Sequence, residues 1–229
     1  TCPVCLGHPG SRPVLNKKAV DFALKMCIAT DCKVSKELIF SRKSYFYPDM
    51  SKNYQITQYE IPLGENGKIT LNNKTINLTR IHMEEDPASL VHQGSMEKSP
   101  YVLVDYNRSG NPLIEVVTAP DMHSAKEARA FMNKLITILE YLEIFDINTC
   151  IIKADVNVSI APHERVEIKN VTGFKEIQKA IEYELKRQED TSTHSEPQHT
   201  RNWDSDQGIS TKLREKETEE EYGYIIDPD

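Results

Sequence analysis

Three consecutive carboxylates, Glu84, Glu85 and Asp86, close the stretch Thr79-Arg80-Ile81-His82-Met83-Glu84-Glu85-Asp86. Further on, a single acid interrupts an apolar run, Leu113-Ile114-Glu115-Val116-Val117. A carboxylate flanked on both sides by apolar strand residues predicts a partner, because burying a lone charge is costly; the usual partners are a cation or a metal. Clustered carboxylates are common ligands for Mg²⁺, and Mg²⁺ commonly arrives with phosphates. For either stretch alone, acids exposed at strand ends are an equal alternative.

A second group of reactive residue types lies at 152–160. Ile152, Ala154, Val156, Val158 and Ile160 alternate with Lys153, Asp155, Asn157 and Ser159, the period of a strand with one apolar and one polar face. A short turn at 161–165 leads to Val166-Glu167-Ile168-Lys169-Asn170. If the two strands pair, Asp155, Asn157, Glu167 and Lys169 share one face of a hairpin. Acid, amide and lysine together suit a metal–phosphate site, although a solvated outer face is the commoner use of such a pattern. At the start of the chain, Cys2-Pro3-Val4-Cys5 has the spacing of half a tetrahedral Zn²⁺ site. Cys27 and Cys32 are available to complete it, but Cys27 falls on the apolar face of an expected helix, so a pair upstream of Thr1 is the better expectation. Arg42-Lys43-Ser44-Tyr45-Phe46-Tyr47-Pro48-Asp49 sets aromatics beside bases, which suits either a phosphate or base contact or simple loop packing. His82 and His92 are potential metal ligands, though a lone histidine is more often structural.

Three expected helices and several strands must carry these groups. Asn16 caps a helix to about Asp31, with Val20, Ala23, Leu24, Cys27 and Ile28 on one face. Ser124-Ala125-Lys126-Glu127 is a capping box opening a helix that buries Ala128, Phe131, Leu135, Ile138, Leu139 and Leu142. A third helix spans about 172–187 with Phe174, Ile177, Ile181 and Leu185 inward. Residues 36–70 read as short strands and turns, with a polar strand at 53–59. There Gly64-Glu65-Asn66-Gly67 forms a turn whose hairpin partner begins at Lys68. Residues 101–105 read as a strand entering the turn 106–112. Residues 188–199 read as a polar linker, and order signals return at Arg201-Asn202-Trp203-Asp204.

At 229 residues the chain suits one large or two small domains. No apolar run approaches a membrane span, and no signal peptide is present. The net charge of −7 is uneven: residues 189–229 hold 12 acids and 4 bases, leaving residues 1–188 near neutral. The body therefore shows no basic stripe for nucleic acid. Five cysteines, an odd number, disfavour a disulfide framework and favour reduced, cytosolic thiols. With 9 glycines and no G-x-x-x-x-G-K-[ST], G-x-G-x-x-G or G-x-S-x-G, a nucleotide would be held by strands and metal rather than by a glycine loop. The missing initial methionine and the ending Asp227-Pro228-Asp229 suggest a piece of a longer chain.

Taken in order, several motifs resemble GatB, the B subunit of the tRNA-dependent amidotransferases. They include Cys2-Pro3-Val4-Cys5-Leu6-Gly7, Pro13-Val14-Leu15-Asn16-Lys17-Lys18-Ala19-Val20, the aromatic stretch at 42–49 and Tyr54-Gln55-Ile56-Thr57-Gln58-Tyr59. Arg80-Ile81-His82-Met83-Glu84-Glu85-Asp86, Val104-Asp105-Tyr106-Asn107-Arg108, Pro112-Leu113-Ile114-Glu115-Val116-Val117, Ala154-Asp155-Val156-Asn157-Val158-Ser159 and Glu167-Ile168-Lys169-Asn170 follow. Thr200-Arg201-Asn202-Trp203-Asp204 and Lys212-Leu213-Arg214-Glu215-Lys216-Glu217 extend the likeness to the end, and Pro87-Ala88-Ser89-Leu90-Val91-His92 looks archaeal.

The resemblance implies an α+β fold, an antiparallel-sheet cradle similar to glutamine synthetase and the guanidino kinases. Residues 1–187 would form its core without the first strand, and 200–229 its C-terminal part. It implies an ATP-dependent ligase that converts glutamyl-tRNA(Gln) or aspartyl-tRNA(Asn) to the amide through a phosphorylated carboxylate. The ammonia would come from the amidase, or A, subunit, and a small C subunit would complete the assembly in the cytoplasm. By this resemblance Glu84, Glu85 and Glu115 look like Mg²⁺-binding acids, and Asp155, Glu167 and Lys169 would lie near the nucleotide or the activated carboxylate. Arg80, Asn157 and Lys169 would contact the cofactor ATP, and Cys2 and Cys5 would hold Zn²⁺ in zinc-bearing relatives. The family's first strand, with a glutamate and a histidine of the metal site, and its first cysteine pair would precede Thr1. Its helical and tail tRNA-binding domains would follow Asp229, so this piece is not expected to act alone. Where relatives carry Gly-Ser-Leu-Arg, this chain has Cys150-Ile151-Ile152-Lys153-Ala154. The rival readings are a non-catalytic scaffold that positions aminoacyl-tRNA and a small-molecule carboxylate–amine ligase.

Overall fold

The structure, a computed structural model, describes residues 2–92, 99–146, 148–191, 196–215 and 222–228. Gly94, Lys216, Glu217, the acid run 219–221 and the middle of the expected linker lie outside the described residues. In chain order the elements are helix α1 (Lys17–Ala29), strands β1 (Lys33–Val34), β2 (Ser41–Ser44), β3 (Tyr54–Thr57), β4 (Gly64–Leu71), β5 (Lys74–Glu85), β6 (Ser89–His92), β7 (Val102–Asp105) and β8 (Pro112–Thr118). Helix α2 (Ala125–Tyr141), β9 (Lys153–Val158), β10 (Val166–Thr172), α3 (Phe174–Asp190), β11 (His199–Asp204), β12 (Ile209–Glu215) and β13 (Gly223–Ile226) follow. The sheets run β1-β4-β5-β8, β12-β11-β10-β9, β13-β2-β3 and β6-β7. The fold is therefore mixed α and β with mainly antiparallel sheets. One pair departs from that expectation: β10 and β11 are parallel, because α3 carries the chain back to the starting edge.

The chain divides into two units, Thr1–Lys68 with Asn77–Ala119 and Thr218–Asp229, and Ile69–Ile76 with Pro120–Glu217. The first centres on β5. Leu78, Ile81 and Met83 are almost fully buried along it. Asn16 caps α1 by accepting from the Ala19 amide, as the sequence predicts. The buried face is rotated from the expected one: Met26 is enclosed and Ile28 is 68% exposed.

The expected turn at Gly64–Gly67 is instead part of β4, and the hairpin reverses between Leu71 and Lys74. Asn66 takes a positive φ of 54° inside that strand, so the local turn signal marks an irregularity in β4 rather than its end. Gly64 is glycine because α1 passes close: a Cβ there would sit 2.6 Å from Cys27 Sγ and 3.0 Å from Cys32 Cβ. Gly64→Ala is expected to cost about 1–3 kcal/mol through overpacking, read as a lowered urea midpoint with an unchanged slope.

The second unit packs α2 and α3 with the β9–β12 sheet. Ser124 caps α2 by accepting from the Glu127 amide, as expected, while the Glu127 carboxylate accepts from the amide of His123, one residue before the cap, rather than from that of Ser124. Within α2, Met132 and Ile136 join Ala128, Phe131 and Leu135 in the core, while Ile138, Leu139 and Leu142 are only half-buried. The last turn of α3 runs to Asp190, past the expected end, and Gln188 is 1% exposed. Gln188 accepts from the Ile160 amide, and its amide group reaches Glu184, so a residue expected in a linker instead ties helix to sheet.

Candidate metal centre

The β5–β8 register builds the site. His82 stands opposite Glu115, and Glu84 opposite Leu113. Side chains alternate along a strand, so His82 and Glu84, two residues apart, share the face that Glu115 meets from the partner strand. His82 Nε2 lies 3.2 Å from Glu84 Oε1 and 3.3 Å from Glu115 Oε2. One ligand atom from each of the three lies within 4.8 Å of the others. Adjacent ligands of an octahedral cation at about 2.1 Å are roughly 3.0 Å apart and opposite ones about 4.2 Å, so this spacing fits with little movement. Two carboxylates suit a hard divalent cation; the imidazole makes Mn²⁺ a suitable probe beside Mg²⁺. His82 Nδ1 is buried without a hydrogen-bond partner, leaving Nε2 as the nitrogen that serves the site.

Charge is concentrated here. Burial pulls the His82 imidazole down, but Glu115 and Glu84 outweigh it and hold it above its ordinary value. Burial pushes the Glu84 carboxyl up; hydrogen bonds from His82 and Thr57 and the His82 and Lys43 charges more than offset this, keeping it below the usual range. Glu115 is 48% exposed, so its apolar neighbours do not bury it as the sequence suggested. It sits on β8, the last strand of its sheet.

Glu85 is next to Glu84 in sequence and turns to the opposite face. Its carboxylate receives the Lys52 ammonium and the Ile56 amide, away from the His82 group. The structure therefore brings Glu84 and Glu115 together, adds His82, and places Glu85 elsewhere. Arg80 does not present a free guanidinium: Nη1 and Nη2 donate to the carbonyls of Tyr59 and Gln58. The aromatic stretch is partly strand, where Lys43 lies over the Tyr222 ring at 4.6 Å and Arg42 pairs with Asp227 at 2.8 Å.

In the other unit, β9 and β10 pair antiparallel with Glu167 opposite Asn157. Asp155 and Asn157 face outward while Val156 and Val158 are buried, and Lys169 Nζ lies 4.0 Å from both Asp155 Oδ2 and Glu167 Oε1. The expected polar hairpin face exists. Cys2 and Cys5 stand with Sγ atoms 3.4 Å apart, close to the roughly 3.8 Å edge of a tetrahedral thiolate site. Ser51 and Ser109 hydroxyls donate to the Cys5 carbonyl and hold the knuckle. Among the described residues no third ligand joins the pair. Cys27 and Cys32 pack against each other elsewhere, and burial pushes the Cys27 thiol up to about 12.

A family model described as the GatB/GatE catalytic domain matches residues 1–229. The chain belongs to the GatB/GatE catalytic domain family. Relatives named as the B subunit of aspartyl/glutamyl-tRNA(Asn/Gln) amidotransferase include one from Methanosarcina barkeri, 49% identical over 236 residues, covering 100% of this chain and 48% of its own length. One from Saccharolobus solfataricus is 50% identical over 237 residues, covering 100% of this chain and 50% of itself. One from Carboxydothermus hydrogenoformans is 46% identical over 242 residues, with 100% and 50% covered. The chain spans about half the length of the curated relatives it matches.

In this GatB/GatE catalytic domain His82, read from the sequence as a lone and more often structural histidine, stands with Glu84 and Glu115. The strand period itself was the signal: in His82-Met83-Glu84-Glu85, His82 and Glu84 share a face, and Glu84 and Glu85 cannot both point to it. Lys52, Gln55 and Thr57 carried no comparable signal, because only tertiary packing brings them to Glu84 and Glu85. No helix among the described residues is long and apolar enough to cross a membrane.

Proposed function

We propose that this chain is the catalytic part of the B subunit of an amidotransferase. It would phosphorylate the side-chain carboxylate of glutamate or aspartate misacylated on tRNA and convert it to the amide. The observation that carries this reading is the convergence of His82, Glu84 and Glu115 in a chain of the GatB/GatE catalytic domain family. In the reaction, a carboxylate oxygen of the aminoacyl group attacks the γ-phosphorus of ATP and ADP leaves. Ammonia then attacks the acyl carbon and inorganic phosphate leaves.

His82, Glu84 and Glu115 would hold Mg²⁺, which when bound neutralises phosphate charge as the phosphoryl group moves. Glu84 is fixed and largely buried. Glu115 is half exposed and open to an incoming ligand. Asp155, Asn157, Glu167 and Lys169 are proposed for the nucleotide side of the reaction, where Lys169 offers a point charge to phosphate oxygens. The pair Cys2 and Cys5 is proposed as half of a zinc knuckle, a folding element rather than part of the chemistry. Ammonia would be supplied by the amidase, or A, subunit, and a small C subunit would complete the complex. A cradle similar to glutamine synthetase suits the same chemistry, since that enzyme class also activates a side-chain carboxylate with ATP.

ADP formation tests the reading. The full-length protein with its partners is supplied with ATP, Mg²⁺ and ammonium, with and without misacylated glutamyl-tRNA or aspartyl-tRNA. ADP is expected only with charged tRNA, and its formation should drop at least about a hundredfold in Glu115→Gln. ADP release indifferent to tRNA would favour a small-molecule ligase. No ADP from a folded complex would leave a tRNA-positioning scaffold.

A further inference from the structure

The geometry points to Thr57 as a positioning residue of the metal centre: its hydroxyl fixes the Glu84 carboxylate in the orientation that lets Glu84, His82 and Glu115 close on one divalent cation. This rests on the metal reading given under the proposed function and adds a residue that touches neither metal nor substrate.

Glu84 lies on β5, but what holds its side chain comes from the end of β3. Thr57 Oγ1 donates to Glu84 Oε1 at 2.7 Å, the same oxygen that faces His82 Nε2. Thr57 is 3% exposed, so water does not compete for this hydroxyl. A β-branched side chain is stiff about χ1, which makes the donor a fixed post rather than a flexible arm. The strand under Glu84 is held from the same stretch. Gln58, fully buried, accepts the Met83 amide on its Oε1 at 3.0 Å, between His82 and Glu84. Gln55 donates to the Glu85 carbonyl at 2.7 Å and lies 3.4 Å from Glu84 Oε2.

The side chains of Gln55, Thr57 and Gln58 thus reach three successive residues of β5, Met83, Glu84 and Glu85, and the Ile56 amide adds a bond to the Glu85 carboxylate. Of these contacts, only the Thr57 hydroxyl makes a short hydrogen bond to the ligand carboxylate itself. A glutamate has three side-chain torsions, and each must be fixed before its oxygen is a preorganised ligand. Outer donors of this kind commonly change metal affinity by about 10–100-fold when removed.

The test uses the full-length protein with Mn²⁺ alone, without ATP or tRNA, with affinity read by calorimetry and by the electron paramagnetic resonance signal of free Mn²⁺. Thr57→Val keeps the shape and removes the donor; it is expected to weaken Mn²⁺ binding about tenfold. Thr57→Ser restores the donor and is expected to bind within about threefold of wild type. Circular dichroism confirms folding, and Thr57→Ala takes the place of the valine variant if the latter does not fold. Wild-type affinity in the hydroxyl-free variant overturns the proposal, as does a serine variant as weak as the valine one. Glu84→Gln in the same titration separates the two levels. If it loses Mn²⁺ while Thr57→Val does not, only the positioning role falls. If the wild type binds no Mn²⁺, the metal reading falls and takes this proposal with it.

Discussion

Glu84→Gln is expected to weaken Mn²⁺ binding to the full-length protein by at least about a hundredfold, whereas Glu85→Gln is expected to change it less than about threefold. The two residues are adjacent and chemically identical, so only geometry separates them. Glu84 shares its face with His82, 3.2 Å away, and with Glu115 across the strand pair. Glu85 turns to Lys52 and the Ile56 amide. The glutamine at position 84 keeps an oxygen for the Thr57 hydroxyl, so the change removes ligand charge while preserving shape and hydrogen bonding. Calorimetric titration with Mn²⁺ reads both variants. Equal losses in both would restore the set Glu84, Glu85 and Glu115 that the family resemblance implies, and would mean the face assignment at β5 is wrong.

A second large effect is expected in the other unit, at a site with no proposed chemistry. Glu184 on α3 is fully buried and carries a bidentate pair with Arg187, 2.7 and 2.9 Å, while accepting from Gln188 at 2.8 Å. Arg187 also reaches Glu196 at 2.7 Å, and Arg201 of β11 lies 3.7 Å from Glu184. Burial and the neighbouring Arg187 charge already pull the Arg201 guanidinium down. Glu184→Ala removes the carboxylate between two cations and leaves them beside each other in a poorly hydrated place. Deleting one partner of a buried pair typically costs about 3–5 kcal/mol, far more than the pair contributes relative to an apolar replacement.

Glu189→Ala, an exposed position on the same helix, should stay within about 0.5 kcal/mol. The single tryptophan, Trp203, reports on this unit: it is buried, and its indole N–H donates to Glu176 at 2.9 Å. Urea unfolding of this chain followed by its fluorescence gives both numbers. A loss under about 1 kcal/mol for Glu184→Ala would mean that water reaches the cluster and screens it.

Local signals carried much of the architecture. The caps at Asn16 and Ser124 needed only neighbouring residues, so they were legible in the chain itself. The alternation through β9 and β10 foretold the polar face of Asp155, Asn157, Glu167 and Lys169, because a period of 2 survives in any sheet with one buried face. The family was legible for another reason: many spaced motifs in one order are jointly specific where each alone is not.

What the chain could not reveal was settled by partners distant in sequence. Glu115 looked buried from its apolar neighbours, yet strand position decides burial, and β8 is the last strand of its sheet. The resemblance implies an ATP contact for Arg80, whereas in the fold the Gln58 and Tyr59 carbonyls accept from its guanidinium. Gln188 looked like linker until the Ile160 amide and Glu184 engaged it. Sequence by itself determined the residue types, the strand and helix periods and the family. Tertiary structure alone decided that Glu115 meets His82 and Glu84 across the strand pair, that Lys52 takes Glu85, and that Thr57 holds Glu84. Hydrogen bonds and ion pairs act over about 3 Å, and only folding brings residues that are tens of positions apart to that distance.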